Sequence, residues 1–294
     1  MNLIGKPLDN PATLADPRSA DDRAPPPDPL VDAAGTRHEP VGAAAARIVS
    51  LVPSLTELLF DLGLAGSVVG RTAYCVHPPA ARGVRSVGGT KTVNFEKLRR
   101  LGPTHVVVNI DETPRALAEA LQAEGWTVVV THPREVHDNL ALYRLFGEMF
   151  QRRTEAEALA SRFAAALSAM EAAASEVQER RVLYLIWKNP WMTVSRDTYI
   201  SRMLASGGLR TEPEHTQQRY PAVELEEPLL ADLDLVLFAS EPFPFQERHL
   251  VAFRTDHPQH AAKAMAIDGE MISWYGSRAV SGLDYLARFV RALG

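Results

Sequence analysis

The chain has 294 residues, 46% of them hydrophobic and 23% charged, which suffices for one large core or two medium ones. A net charge of -5 and a pI near 6.0 argue against a nucleic-acid groove or an anionic membrane surface as the main partner. One cysteine excludes an internal disulfide, and no apolar run reaches the roughly 18 residues of a transmembrane helix.

Residues 1–45 are rich in proline, aspartate and alanine and lack any aromatic side chain. Such a stretch buries too little surface to offset its ordering entropy, so a disordered tail is expected there. It also lacks a basic start followed by an apolar run, which speaks against a secretory signal and for the cytoplasm.

An α/β pattern begins near residue 46. "RIVSLV" reads as a strand ending at Pro53, and "SLTE" follows with Ser54 and Glu57 spaced as a capping box. The helix "LTELLFDLGL" stops near Gly63, and "SVVG" is the next strand. Asn94 is the expected N-cap of "FEKLRRLG", "THVVVN" and "WTVVVT" are buried strands, and "PRALAEALQAEG" is an amphipathic helix between them. Strands alternating with helices imply a mostly parallel sheet covered on both faces.

Residues 135–180 carry no strand signal. "HDNLALYRLFGEMF" is amphipathic, and Thr154 with Glu157 is spaced as a second capping box. It opens an alanine-rich helix of about 25 residues with Leu159, Phe163, Leu167 and Met170 on one face. The α/β pattern then restarts over 181–294. "RVLYLIW", "WMTVS", "DLVLFAS" and the weaker "AKAMAID" read as strands. Helices are expected at "TYISRMLASGG" behind Asp197, at "ELEEPLLADL" with Pro228 in its first turn, and at the C-terminus. The expected fold is therefore two Rossmann-like α/β lobes, 46–134 and 181–294, joined by one long backbone helix.

The segments "RIVSLVPSLTELLFDLGL…VVG", "YCVHPP", "VGGTKTVNFEKLRRLGPTHVVV" and "RYPAVELEEPLLADLDLVLF" resemble the helical-backbone substrate-binding proteins. These are the receptors of ABC importers for cobalamin, haem and ferric siderophores, and the cobalamin branch is the most similar. The resemblance spans Arg47 to Gly294. It implies a non-catalytic, monomeric receptor holding a corrinoid, haem or iron chelate between its lobes, without a covalent cofactor, in the periplasm. It places Tyr74 and Tyr220 at aromatic ligand contacts and Arg278 near a cleft arginine. Glu96 and Glu226 match the two glutamates that dock onto the importer's membrane subunit. Thr90, followed by Lys91, stands where the family has a further ligand-facing tryptophan.

Read from the residues alone, several sites keep two meanings. Cys75 and His77 share one face of an extended segment, so they are pocket lining, weak metal candidates, or a core thiol and a turn histidine. Phe243 and Phe245 in "EPFPF" follow a strand's carboxyl end, where they face a ligand crevice or tuck beneath the lobe. Trp274, Tyr275 and Arg278 in "WYGSR" offer two rings and a forked cation suited to a ligand carboxylate, phosphate or catecholate, or else form core. One of Trp187 and Trp191 is expected to line the cleft. Glu96 and Glu226 are docking residues or simply solvated first-turn acids. No GxSxG, Walker A, HExxH or post-strand GxGxxG motif is present, so no catalysis is expected. The alternative is a cytosolic enzyme or sensor acting on a corrinoid or metal complex through Cys75 and His77.

Overall fold

The computed structural model describes residues 28–214 and 216–293. The first sheet holds β1 (Ile48–Ser50), β2 (Val68–Arg71), β3 (His105–Asn109) and β4 (Thr127–Thr131), all parallel, in the order β2-β1-β3-β4. The second holds β5 (Arg180–Leu185), β6 (Leu209–Thr211), β7 (Leu235–Ala239) and β8 (Ala264–Ile267), again parallel, in the order β6-β5-β7-β8. The second lobe thus repeats the strand order of the first. The central strands β3 and β7 are buried along their whole length and mostly apolar, as parallel sheets covered on both faces require.

The helices that cover the first sheet are α1 (Pro53–Asp61), α2 (Phe95–Leu101) and α3 (Arg115–Ala123). Asn94 caps α2 by accepting from the Lys97 amide at 2.9 Å, and Gly102 ends it in the left-handed region at φ 55°. The expected capping box on α1 does not form. That helix starts two residues earlier, with Pro53 at N1 and Val52 as N-cap.

Two helices link the sheets, α4 (Asp138–Met149) and α5 (Arg153–Ser175). The 23 residues of α5 span about 35 Å without a break. It starts at Arg153, so Thr154 lies inside the first turn and caps nothing. Leu159, Phe163, Leu167 and Met170 are buried, and α5 packs against α4 and α10 (Arg278–Arg291). One apolar cluster runs from Val107 and Val129 in the first lobe through Tyr143 and Phe163 to Leu237 and Leu283 in the second. The two lobes therefore share a core, which opposes hinge motion between them.

The second lobe adds α6 (Tyr199–Ser206), α7 (Glu227–Ala231), α8 (Glu247–Asp256) and α9 (Gly269–Ser273). Thr198, not Asp197, caps α6, accepting from the Ser201 amide. The strand expected at "WMTVS" is reduced to isolated bridges of Met192 with Trp187 and Ala222.

The tail expected over residues 1–45 differs from its expectation at Asp28; residues 1–27 lie outside the described residues. From there the chain lies along the free edge of β4. The Ala33 amide donates to the Val130 carbonyl at 2.9 Å, and the Val130 amide donates to Asp32 Oδ2 at 2.9 Å. His38 Nε2 meets the same carboxylate oxygen at 2.9 Å, and both side chains are buried. Composition misses this anchor because it rests on backbone bonds and one polar pair rather than on apolar mass.

Candidate functional site

In an open parallel sheet, ligands bind beyond the carboxyl ends of the strands, where the strand order reverses. In the first lobe that point lies between β1 and β3, and in the second between β5 and β7. The segments leaving those strands carry Glu57, Asp111 and Glu112 on one side and Trp187, Glu241 and Phe243 on the other. Polar pairs join the lobes beyond these strand ends.

Arg219 donates from Nη2 to Asp111 Oδ2 at 2.9 Å and from Nη1 to Asp197 Oδ2 at 3.2 Å. The Tyr220 hydroxyl reaches Asp111 Oδ2 at 3.4 Å, and burial pushes its pKa up to about 12. His132 stands on the other side of Asp111, its Nε2 3.5 Å from Oδ1. The Tyr275 hydroxyl donates to Glu112 Oε1 at 2.9 Å. Burial, with the charges of Glu241 and Asp111 adding to it, pushes Glu112 up to about 7 despite that hydrogen bond. Glu241 is raised as well, chiefly by burial, although Trp274 Nε1 and Ser273 Oγ both donate to it.

Arg278 does not await a ligand anion. Its Nε and Nη2 both donate to Glu57 at 2.7 Å, and Nη1 donates to Glu270 at 2.8 Å. Its guanidinium also lies 4.6 Å from the centre of the Trp274 ring. The expected carboxylate clamp is therefore a cross-lobe strut. Gly276 serves the same junction. At φ 82° it packs so close to α1 that a Cβ would sit 3.3 Å from Leu58. Its close approach is to the other lobe, and Tyr143 and Asn139 hold it with hydrogen bonds.

The expected rings divide into two sets. Tyr74 is 64% exposed beside Gly89, and Trp187 is 42% exposed with Phe243 packed edge-on at 5.6 Å. These rings, with half-buried Tyr220, remain available to a ligand face. Trp274 and Tyr275 are buried in the lobe junction, each ending on a glutamate. Phe245 is 8% exposed, stacks on Trp191 and meets Phe238 edge-on inside the second lobe. It belongs to the core rather than to the crevice. Trp191 is half-buried against that stack, whereas Trp187 is exposed.

Cys75 is fully buried, with its Sγ 3.1 Å from Thr72 Oγ1, and burial raises its thiol pKa. Enclosed in this way, the thiol lacks the partly exposed, electropositive surroundings that a reactive cysteine has. His77 turns away from it, with Nε2 3.3 Å from Glu270 and its ring against Trp274 at 5.6 Å. The two side chains therefore form no shared metal site, and among the described residues no group of three potential ligands converges. Glu96, in the first turn of α2, has a 76% exposed side chain, and Glu226 is the exposed N-cap residue of α7.

Asp111, Glu112, Glu270 and Arg219 were not singled out by sequence reasoning. A signal existed for the first two. They follow the buried strand "THVVVN" as directly as "EPFPF" follows "DLVLFAS".

Comparison with known proteins agrees with this architecture. A vitamin B12-binding protein of Photorhabdus laumondii is 24% identical over 252 residues, 84% of this chain and 88% of its own length. One of Vibrio cholerae is 27% identical over 205 residues, 67% of this chain and 71% of its own. Among solved structures, the periplasmic heme-binding protein BhuT in complex with two hemes superposes with a TM-score of 0.74 at 22% identity, covering 85% of this chain and 99% of that one. The periplasmic vitamin B12 binding protein BtuF of Vibrio cholerae gives 0.71 at 18%, covering 84% and 97%. The family described as periplasmic binding protein matches residues 48–260, and the chain belongs to that family of non-catalytic receptors.

Proposed function

We propose that this protein is the receptor of an ABC importer and holds a tetrapyrrole, a corrinoid or haem, in the crevice between its lobes. An iron chelate, the third ligand that the resemblance implies, is the alternative to a tetrapyrrole. The observation that carries the reading is a set of rings with open faces, exposed Tyr74 from one lobe with exposed Trp187 and half-buried Phe243 and Tyr220 from the other. Flat, largely rigid side chains favour a flat macrocycle because few torsions are lost on binding. The shared core favours a preformed crevice over a closing one. The names of the relatives, which bind vitamin B12 or heme, support the same class.

Glu96 and Glu226 then serve as docking points for the importer, one on each lobe, and their exposure suits that role. The family's description supports a periplasmic setting, against the cytoplasmic expectation drawn from the opening residues. The test is direct. Protein purified from its native host is examined by absorbance and mass spectrometry, and the ligand-free chain is titrated with cyanocobalamin and with haemin. A dissociation constant below about 10 μM for either supports the reading. No colour and no binding of either overturns it.

A further inference from the structure

Arg219 and Arg278 both cross from the second lobe to carboxylates of the first. Each ends on two acids, Arg278 on Glu57 and Glu270, and Arg219 on Asp111 and Asp197. Glu112 and Glu241, beside them, have only neutral donors. The crevice therefore carries more carboxylate than guanidinium, and neither of these guanidiniums is free. The other cations nearby do not reverse that balance: Arg134 Nη2 lies 3.8 Å from the same Asp197 oxygen that Arg219 meets. Lys91 is exposed to water, and the Lys188 ammonium lies 5.1 Å from the centre of the Trp191 ring.

Asp111 is the pivot of this arrangement. One of its oxygens takes both the Arg219 guanidinium and the Tyr220 hydroxyl from across the crevice. A ligand carboxylate that sought Arg219 would have to displace Asp111 and leave that charge beside Glu112. A half-buried carboxylate stripped of its partner and set against another acid is strongly unfavourable. An amide edge meets no such obstacle. Its N–H groups suit the carboxylates of Glu112 and Glu241, which a ligand carboxylate would meet only as like charge.

We infer that Asp111 sets the charge class of the ligand: by holding Arg219 it makes the crevice select a tetrapyrrole edged with neutral amides over one edged with free carboxylates. This rests on the tetrapyrrole reading above. Asp111 acts here as a specificity residue, and the exclusion is by withheld partnership rather than by shape.

The experiment compares two corrinoids that share a ring, dicyanocobinamide with an amide edge and dicyanocobyrinic acid with a carboxylate edge. Both are titrated, by tryptophan fluorescence, into the wild-type chain and into Asp111→Asn. The wild-type chain is expected to bind the amide form at least about 30-fold more tightly. Asp111→Asn is expected to shrink that ratio below about 5-fold by gaining affinity for the carboxylate form. Haemin and its diamide give the same ratio should the corrin ring be refused. Equal binding of the two edges by the wild-type chain, or an unchanged ratio in Asp111→Asn, overturns the inference and leaves the tetrapyrrole reading standing. Refusal of both rings in both forms overturns the tetrapyrrole reading, and the inference falls with it. A variant that merely loosens the lobes weakens both edges alike, which leaves the ratio unchanged and so counts against Asp111.

Discussion

Arg278, the first residue of α10, grips Glu57 of α1 with two parallel hydrogen bonds of 2.7 Å, and this pair joins the two lobes. Both side chains are largely buried, at 10% and 15% exposure, so water screens the pair weakly. Removing one partner strands the other charge. Arg278→Ala is expected to cost about 3 kcal/mol of unfolding free energy, read from urea denaturation. A loss below about 1 kcal/mol would put the pair in the class of surface ion pairs and deny it the role of strut.

Glu112 supplies the pH dependence of the junction. Its carboxyl titrates at about 7 rather than at the ordinary 4.5, because it is buried against Tyr275 with Glu241 and Asp111 nearby. Between those two values the folded chain keeps a proton that the unfolded chain has released. Stability therefore falls as pH rises from about 4.5 to about 7 and levels off above that. The change is expected to be about 3 kcal/mol. Glu112→Gln should flatten this window and make the chain more stable at pH 8. Thermal denaturation from pH 4.5 to 8 is the check, and an unaltered slope in the variant would assign the dependence to other groups.

Phe245 and Tyr74 are expected to fail in opposite ways. Phe245 is enclosed by Trp191 and Phe238, so Phe245→Ala opens a cavity in the second lobe and should cost about 3 kcal/mol of stability. Tyr74 stands in water, so Tyr74→Ala should leave stability within about 0.5 kcal/mol. It should weaken tetrapyrrole binding about tenfold through the lost ring contact. Urea denaturation and a ligand titration on both variants separate the two roles. A Tyr74→Ala chain that binds normally would remove that ring from the site.

The lobes, the long helix and most strands were legible in the sequence because buried parallel strands are unbroken apolar runs. "HVVVN" and "LVLFA" admit little else, and alanine-rich heptads with Leu159, Phe163 and Met170 in register mark a helix over many turns. The crevice was legible only in outline. A ring beyond a strand end reads the same whether it faces a ligand or its own lobe, so Phe243 and Phe245 looked equivalent. Only packing against Trp191 and Phe238 tells them apart. The role of Arg278 was hidden for a different reason. Its partner Glu57 is 221 residues away in the chain, and a charge pair at that separation has no local pattern. The short strand "LRT" escaped notice because three residues, one of them exposed, carry no period.

Cys75 provides a test of burial itself. Enclosed beside Thr72 and Ser50 with its thiol pKa raised, it should resist a thiol reagent in the folded chain and react stoichiometrically in denaturant. Cys75→Ala should bind ligand as the wild type does. Rapid labelling of the folded chain, or a large loss of affinity in the variant, would return the cysteine to the site.

The N-terminal clasp shields an edge. Unprotected, β4 would present free backbone groups on its outer side, a template for pairing with another chain. Asp32 occupies that edge. Its carboxylate accepts from the amides of Val130, Ala34 and Thr36 and pairs with His38. Burial alone would raise its pKa, yet these hydrogen bonds, His38 foremost, hold it below the usual 3.8. Its contribution is therefore fully present above about pH 4 and lost on acidification below it. Asp32→Ala leaves buried amides without an acceptor and is expected to cost about 2 kcal/mol. Hydrogen exchange should then quicken at Val130 well before it does at Val107 in the central strand. Equal protection of Val130 in the variant and the wild type would mean that the Ala33 contact alone guards the edge. With the edge open, light scattering should rise at concentrations where the wild-type chain stays clear, since strand pairing between copies needs only an uncovered β4.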